Sequence, residues 1–580
     1  WDLEGGNGVA LHFEGMMIDK YGDLFGYLFL SVPTEAYPPG VPLRIKVTGE
    51  TAGSRSWFMV FKYSAVQQVK FIPEQALLKT SGKDMQLVRV DLLHFDRPAM
   101  ASIRVGLTTE TFPLSLGFNM IRVPIPNVNE TTLVNTEVRI NDREIYSGEL
   151  QVSPVEQKTI YLLPHSHVDI GYTHVQEEVE AIQWQNIRDA VSYAQKTKDY
   201  PEGARFKWSA EVMWAVDSYL EQCSEEEKKE LTEAVQNGSF ELDGLYANIL
   251  TGLCRPEELY RMLESAVEAA DELGTELSSA MITDIPGYTW GIVPVLAQSG
   301  VDYFSIGTNT FHRIGDIIET WGDRPFYWAS ASGTEKVLCW VHGKGYSEFH
   351  TGLAYTRLRN KLKEQLIFDY INELVLSGYP YDIVTMRYNI GSDNGPPDPY
   401  LSDIVRSWNE KYTSPKLVIS TVGEAFGLFE EKYGSSLPTY RGDLTGYWED
   451  GAASSARETA MNRASAERLT QASALYSLLD PQGYPGKDFD LAWKNILLYS
   501  EHTWGSWNSI SEPHSPFTLQ QWETKKSFAE KADSLSRQLL SRAIPASAAE
   551  TATMVDVYNT SSWSRTDKVC IPADVHTRGD

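Results

Sequence analysis

Short runs in which apolar and polar residues alternate dominate the first quarter of the chain. Examples are residues 57–63, 86–95 and 118–125, and clusters of Gly, Pro and Asn separate them. Alternation with a period of two is typical of strands with one buried face, and many such strands at short spacing indicate a β-sandwich. We therefore expect an accessory β-sandwich domain over residues 1–155.

A different pattern follows, in which short apolar runs alternate with helical stretches. Ser224 and Glu227 have the spacing of a capping box, Pro256 marks a helix start, and Gly274 marks its end. Such alternation predicts βα units around a mostly parallel sheet, here a seven-stranded βα barrel over residues 156–440. The strand candidates are residues 159–163, 278–283, 301–306, 336–341, 382–390 and 416–419.

The chain changes character again after about Gly442. Residues 455–479, 490–499 and 518–544 have the periodicity of long amphipathic helices, which predicts a three-helix bundle over residues 441–547. Residues 554–571 return to a strand-like pattern. We expect residues 548–580 to begin a C-terminal β-domain, and the fold class to be α/β.

Composition excludes some partners. The 580 residues include 51 Lys and Arg against 78 Asp and Glu, so the net charge of 51 − 78 = −27 disfavours nucleic acid and anionic membranes. No run of ~18 apolar residues predicts a membrane span. The four cysteines form no Cys-x-x-Cys pair and therefore indicate neither a cysteine zinc site nor a disulfide framework. The oligomeric state stays open.

The densest group of chemically active residues directly follows the first strand of the βα region. In His165-Ser166-His167-Val168-Asp169, the alternation of an extended backbone puts His165, His167 and Asp169 on one side. Two imidazoles and a carboxylate suit a borderline-soft divalent metal such as zinc. The alternative is a strand end whose histidines form only local hydrogen bonds.

Other polar residues occur where later elements end. Asp284 follows one predicted strand, Asp393 follows another, and His502 follows a predicted helix. Catalytic groups of a βα barrel come from the carboxyl ends of several strands, so the two aspartates are candidates for the same rim. The structural alternatives are a helix N-cap for Asp284, an Asx-turn for Asp393 and a helix-end contact for His502.

Several of these motifs resemble glycoside hydrolase family 38, the zinc-dependent retaining α-mannosidases. The segment from His165 to Tyr172 resembles the family's first zinc signature, and Ile282 to Tyr288 resembles its nucleophile motif. Gly391-Ser392-Asp393 resembles the acid/base segment, and Glu501 to Gly505 lies where the family has its second zinc histidine. The resemblance covers about residues 161–566 and implies a bacterial-type member, truncated at its C-terminus.

The resemblance also implies roles for individual residues. Zn²⁺ would be bound by His167, Asp169, Asp284 and His502, with His165 beside the site. Asp284 would also be the nucleophile, and Asp393 the acid/base. The positions expected to bind the sugar are Tyr172, where animal members have Trp, Thr503, where they have Asp, Tyr288 and Trp504.

The implied activity is retaining hydrolysis of α-mannosidic bonds in a glycan or oligosaccharide. A zinc-dependent sugar deacetylase or amide hydrolase is an alternative, because it would use the same metal cluster with water as the nucleophile. A catalytically inactive glycan-binding protein is another. Trp1 in place of Met indicates a trimmed N-terminus, so we expect a periplasmic or secreted protein, with a cytoplasmic one as the alternative.

Overall fold

A computed structural model describes most of the chain. The described residues are 10–18, 24–31, 40, 67–80, 82–309, 317–346, 364–391, 393–444, 448, 450–544 and 556–569. They divide into two compact units, and the first consists of Trp1–Lys158, Glu364–Asp382 and Asn409–Lys416. The second consists of Thr159–Lys363, Ile383–Trp408 and Leu417–Asp580. The predicted α/β class is confirmed.

The first unit contains two four-stranded antiparallel sheets, in the orders β18-β3-β4-β7 and β6-β5-β8-β9. Alternate residues of both sheets, such as Val88, Val90, Ile103 and Val138, share one apolar core, which is what the period-two pattern requires. The predicted strand at residues 57–63 lies outside the described residues. The strands are β1 (Ala10–Ile18), β2 (Leu24–Ser31), β3 (Gln68–Thr80), β4 (Lys83–His94), β5 (Ala99–Val105), β6 (Thr108–Leu114), β7 (Gly117–Pro126), β8 (Thr132–Ile140), β9 (Arg143–Val152) and β18 (Tyr412–Ser414).

Two later segments of the chain complete this unit. Helix α7 (Glu364–Leu376) contacts β3, and β18 pairs with the same strand, although both fall within the range predicted for the barrel. Ion pairs join α7 to the sheet: Arg122 contacts Glu74 at 2.9 Å and Glu364 at 3.1 Å. Burial outweighs the two nearby arginines and raises the pKa of Glu74 to about 7.

Parallel strands dominate the second unit. They form three sheets among the described residues, in the orders β17-β10-β19, β11-β12 and β13-β14-β16-β15-β20, and the pairing of β15 with β16 is antiparallel. Because hydrogen bonding divides the described strands in this way, one closed seven-stranded barrel stays a prediction. The strands are β10 (Thr159–Pro164), β11 (Trp208–Ser209), β12 (Phe240–Glu241), β13 (Ser279–Asp284), β14 (Tyr303–Thr308), β15 (Phe326–Ala329), β16 (Lys336–Val341), β17 (Ile383–Tyr388), β19 (Lys416–Ile419) and β20 (Thr439–Tyr440).

The helix boundaries follow the predicted signals. Ser224 and Glu227 form a reciprocal capping box at the start of α3, Pro256 is the first residue of α4, and Gly274 ends α4 with a φ of 70°. The helices that alternate with the strands are α1 (Gln176–Thr197), α2 (Met213–Gln222), α3 (Glu225–Gln236), α4 (Pro256–Leu273), α5 (Ile292–Gln298), α6 (Ile317–Trp321), α8 (Leu401–Lys411) and α9 (Val422–Tyr433).

Three long helices follow the short helix α10 (Asp450–Ser454). They are α11 (Ala456–Leu479), α12 (Gly486–Ser500) and α13 (Pro516–Ala543), and they share a core that includes Leu469, Trp493 and Leu539. The sequence pattern predicted a strand in the last part of the chain. The described residues 556–569 form no strand, and they pair with no described strand. Among the described residues, no helix has both the length and the apolar character needed to cross a bilayer.

Candidate metal and catalytic site

The predicted site residues occupy the ends of elements in the second unit. His167 and Asp169 follow β10, Asp284 is the last residue of β13, and Asp393 follows β17. His502 lies two residues after α12. Because parallel strands present their carboxyl ends at the same edge, residues more than a hundred positions apart reach one place.

The structure brings four of these side chains together. One ligating atom from each of His167, Asp169, Asp284 and His502 lies within 4.8 Å of the others. Asp169 Oδ1 is 3.1 Å from Nε2 of both histidines, and Asp284 Oδ2 is 3.3 Å from His502 Nε2. Two imidazole nitrogens and two carboxylate oxygens thus converge on one point.

The chemistry of this cluster fits a divalent cation. Burial opposes protonation of His167 and His502, but the surrounding carboxylates hold the pKa of both imidazoles well above the ordinary value. Burial likewise opposes ionisation of Asp169, yet the two histidines hold its pKa well below the ordinary value. Two carboxylates that face one point favour positive charge between them, and mixed nitrogen and oxygen donors suit zinc.

A buried glutamate contacts the imidazole nitrogen of His167 that points away from the cluster. Glu211 Oε1 lies 2.9 Å from His167 Nδ1, which leaves Nε2 directed at the cluster. Glu211 also accepts from Asn248 Nδ2 at 2.8 Å and Thr283 Oγ1 at 2.5 Å, and His165 Nδ1 lies 2.7 Å from it. Burial raises the pKa of Glu211, but hydrogen bonds from His165 and His167 outweigh it and hold this pKa well below the ordinary value.

A second buried glutamate holds His502 in the same way. Glu501 Oε1 lies 2.9 Å from His502 Nδ1. Its other oxygen, Oε2, accepts from Lys525 Nζ at 3.0 Å and from Thr503 Oγ1 at 2.5 Å. Lys525 belongs to α13 and is itself buried. Burial raises the pKa of Glu501, but the nearby Lys525 ammonium outweighs this effect and the pKa falls to about 2. Carboxylates that fix the distal nitrogen of a ligating histidine are typical of metal sites.

Asp284 and Asp393 share a neighbour, Tyr346. Asp284 has a φ of 72°, and its Oδ1 accepts from Asn309 Nδ2 at 2.6 Å. The ring of Tyr346 lies 4.8 Å from that of His167. Burial, followed by the charges of Asp284, Asp393 and Asp169, raises the pKa of Tyr346 well above its ordinary value. The predicted acid/base therefore lies close enough to the cluster to act electrostatically on the same phenol.

The four predicted sugar-binding side chains differ in their exposure. Tyr172 is 40% exposed, whereas Trp504 is partly buried, with its ring 4.7 Å from that of Tyr499. Tyr288 is fully buried and donates its hydroxyl to Ile285 O at 2.5 Å. The hydroxyl of the buried Thr503 is bonded to Glu501. Tyr288 and Thr503 therefore do not offer free polar groups to a sugar, because the fold already uses their hydroxyls.

Sequence reasoning assigned no role to Glu211, Lys525 or Tyr346. Glu211 follows the two-residue strand Trp208–Ser209, which is too short to give a periodic pattern. The rule that polar residues at strand ends belong to the site would have selected Glu211 if this strand had been recognised. Lys525 lies in the middle of a long helix, and nothing in its neighbouring sequence indicates a contact with Glu501.

Comparisons with known proteins show what this chain is similar to. Residues 157–443 match the family described as "Glycosyl hydrolases family 38 N-terminal domain". An alpha-mannosidase from Enterococcus faecalis V583 has a similar fold, with 18% identity, a TM-score of 0.51 and coverage of 67% of this chain and 42% of that one. A glycosyl hydrolase family 38 protein from Enterococcus faecalis aligns with 16% identity, a TM-score of 0.46 and coverage of 67% and 40%. The chain thus spans less than half the length of these two proteins. A search of curated protein sequences finds no match.

Proposed function

The chain belongs to glycosyl hydrolase family 38, and from this premise we propose that it hydrolyses α-mannosidic bonds with retention of configuration. The observation that carries the proposal is the convergence of His167, Asp169, Asp284 and His502. The substrate would be a glycan or oligosaccharide with α-linked mannose.

Asp284 is the proposed nucleophile. Its carboxylate attacks the anomeric carbon while the bond from that carbon to the leaving oxygen breaks, which gives a covalent mannosyl-enzyme. Asn309 donates to Asp284 Oδ1, and His502 lies beside Oδ2. These two contacts restrict the orientation of the carboxylate.

Asp393 is the proposed acid/base. It gives its proton to the leaving oxygen in the first step. In the second step it takes a proton from the water that attacks the anomeric carbon and releases Asp284. Retention requires the two carboxyl groups to stand ~5–5.5 Å apart in the substrate complex, because an inverting enzyme needs ~6.5–9.5 Å for the intervening water.

Zinc is the proposed cofactor, held by His167, Asp169, Asp284 and His502. When bound, the ion supplies a Lewis acid for adjacent hydroxyl groups of the mannose ring. Glu211 and Glu501 keep the ligating Nε2 atoms of the two histidines directed at it. Tyr172, the most exposed of the predicted sugar-binding residues, is the proposed stacking surface.

The proposal extends to the architecture that the resemblance implies. A seven-stranded βα barrel would carry His167, Asp169, Asp284 and Asp393 on one rim. A three-helix bundle would deliver His502 to that rim.

Trapping of the covalent intermediate tests this function. The purified, zinc-loaded protein is incubated with a slow fluorinated mannosyl fluoride, digested and analysed by mass spectrometry. We expect one mannosyl adduct, on the peptide that contains Asp284, and none in Asp284→Ala. Asp302→Ala, at an exposed aspartate directly before β14, is the matched control and should be labelled like the wild type.

Each alternative predicts a different result. A sugar deacetylase would give no adduct but would release acetate from acetylated sugars in a chelator-sensitive way. A glycan-binding protein would bind mannosides without turnover. Either result would reject the proposed function.

A further inference from the structure

The residue next to the proposed acid/base has an unusual backbone conformation. Asn394 has a φ of 60°, in the left-handed region that side chains other than glycine rarely adopt. Asparagine tolerates this region better than most residues do. A strained conformation persists only where surrounding contacts fix it, so the contacts of Asn394 show what holds the segment.

Those contacts lead directly to the metal-binding segment. The backbone N–H of Asn394 donates to His167 O at 2.6 Å, and its side-chain Nδ2 donates to Asp169 O at 3.1 Å. The residue is 4% exposed. One asparagine thus bonds to the main chain of both metal ligands that follow β10.

Helix α1 supports the same residue from the other side. Gln183 Nε2 donates to Asn394 Oδ1 at 2.9 Å, and Asn186 Nδ2 donates to Asn394 O at 3.4 Å. Gln183 also donates to Ser166 Oγ at 3.3 Å. The side-chain amide of Asn394 is therefore satisfied on both sides and has one orientation.

We propose that Asn394 is a positioning residue that fixes the carboxyl group of Asp393 relative to His167 and Asp169. The inference rests on the proposed function. Adjacent Cα atoms are only ~3.8 Å apart, so anchoring Asn394 to the metal-binding segment also limits where Asp393 can lie. Asn394 touches no reacting atom in this account. It sets the distance over which Asp393 delivers its proton.

This role predicts that the need for Asn394 depends on the leaving group. In the first step, a poor leaving oxygen needs the proton of Asp393 as its bond to the anomeric carbon breaks. A strongly activated leaving group departs without that proton. A displacement of ~1 Å can reduce a catalytic rate by about 100-fold, so only the first kind of substrate should respond to loss of the anchor.

Asn394→Gly is the test variant, because glycine keeps the positive φ and the backbone N–H but removes the side-chain anchor. Values of kcat/KM are measured for methyl α-mannoside and for dinitrophenyl α-mannoside. We expect a loss of about 100-fold on the methyl glycoside and of less than about threefold on the dinitrophenyl glycoside. The second step still needs Asp393 as the base for water, so we expect kcat on the dinitrophenyl glycoside to fall. Azide attacks the mannosyl-enzyme without a general base and should restore this kcat.

Two further variants distinguish positioning from folding. Asn141→Gly makes the same replacement at a φ of 48° in the exposed β8–β9 turn and should change neither rate. Gln183→Met removes the donor to Asn394 Oδ1 and should show a smaller loss with the same dependence on the leaving group. The zinc dissociation constant of Asn394→Gly should stay within about threefold of the wild type, because the four ligating side chains and the two glutamates that orient the histidines are unchanged.

The outcomes separate this inference from the function on which it rests. If the wild type hydrolyses neither mannoside, the proposed function fails and this inference fails with it. If the wild type is active but Asn394→Gly loses equal activity on both substrates, or none on either, only the inference is overturned. A large loss of zinc affinity in this variant would instead assign Asn394 to the metal site.

Discussion

The two histidines of the cluster are held by the same kind of group but in different electrostatic surroundings. In each case a buried glutamate oxygen lies 2.9 Å from Nδ1. On the side of His167, Glu211 accepts hydrogen bonds from the uncharged donors Asn248 and Thr283, and Nη1 of Arg387 is 3.8 Å away. On the helical side, Glu501 forms a direct ion pair with Lys525 at 3.0 Å.

The difference shows two ways to keep a carboxylate ionised inside a protein. Several hydrogen bonds can share the stabilisation, as at Glu211, so that the loss of one donor leaves others. A single ammonium can supply the largest share, as at Glu501, so that the loss of this cation removes the main compensation of a buried charge. We therefore expect the helical half of the site to depend more strongly on one residue.

Removal of a ligating histidine should have the largest effect. We expect about one zinc per wild-type chain and almost none in His167→Ala or His502→Ala, because either change leaves only three protein ligands. Metal analysis after gel filtration measures this. His174→Ala, outside the cluster, is the control. Unchanged zinc in His502→Ala would separate the helical segment from the metal site.

Lys525→Met should have the next largest effect, on stability. Breaking a buried ion pair by removing one partner costs about 3–5 kcal/mol. Denaturant unfolding of the metal-free protein measures this cost, and Lys494→Met, which removes a more exposed lysine paired with Asp217, should cost only about 0–1 kcal/mol. The double variant Lys525→Met/Glu501→Gln should recover part of the loss. Equal costs for the two single variants would contradict the ion-pair account.

The sequence predicted the members of this four-residue cluster better than the residues that hold them in place. His167 and Asp169 follow a strand and Asp284 ends one, and a strand end is visible in the local hydrophobic pattern. Glu211 and Lys525 have no such local signal, because their roles depend on contacts between distant parts of the chain.

The fold shows the same limit. The cap at Ser224 and the helix end at Gly274 are local and were predicted correctly. The assignment of α7 and β18 to the first unit was not predicted, because their sequence resembles an ordinary βα unit. Strand pairing and domain membership depend on long-range contacts, which periodicity does not report.

Replacement of either glutamate by glutamine should weaken zinc binding moderately. Changes to groups that orient ligating histidines typically cost about 10–100-fold in metal affinity. We expect Glu211→Gln and Glu501→Gln to fall in this range, as measured by competition with a chromogenic chelator. Only Glu501→Gln should also lower the free energy of unfolding strongly, since it leaves Lys525 without its carboxylate. A similar loss of stability in both variants would show that the two halves do not differ.

Thr503→Val should have the smallest effect, because Glu501 keeps Lys525 when the hydroxyl is lost. A hydrogen bond to a charged group is worth about 1.5–3 kcal/mol, so we expect a stability loss near the lower end and less than about tenfold in zinc affinity. Thr503→Ser retains the hydroxyl and should restore both. If Thr503→Val instead raises KM for a mannoside while zinc affinity and stability stay unchanged, Thr503 binds the sugar, as the family resemblance implied. The helical half would then contribute a substrate contact as well as a metal ligand.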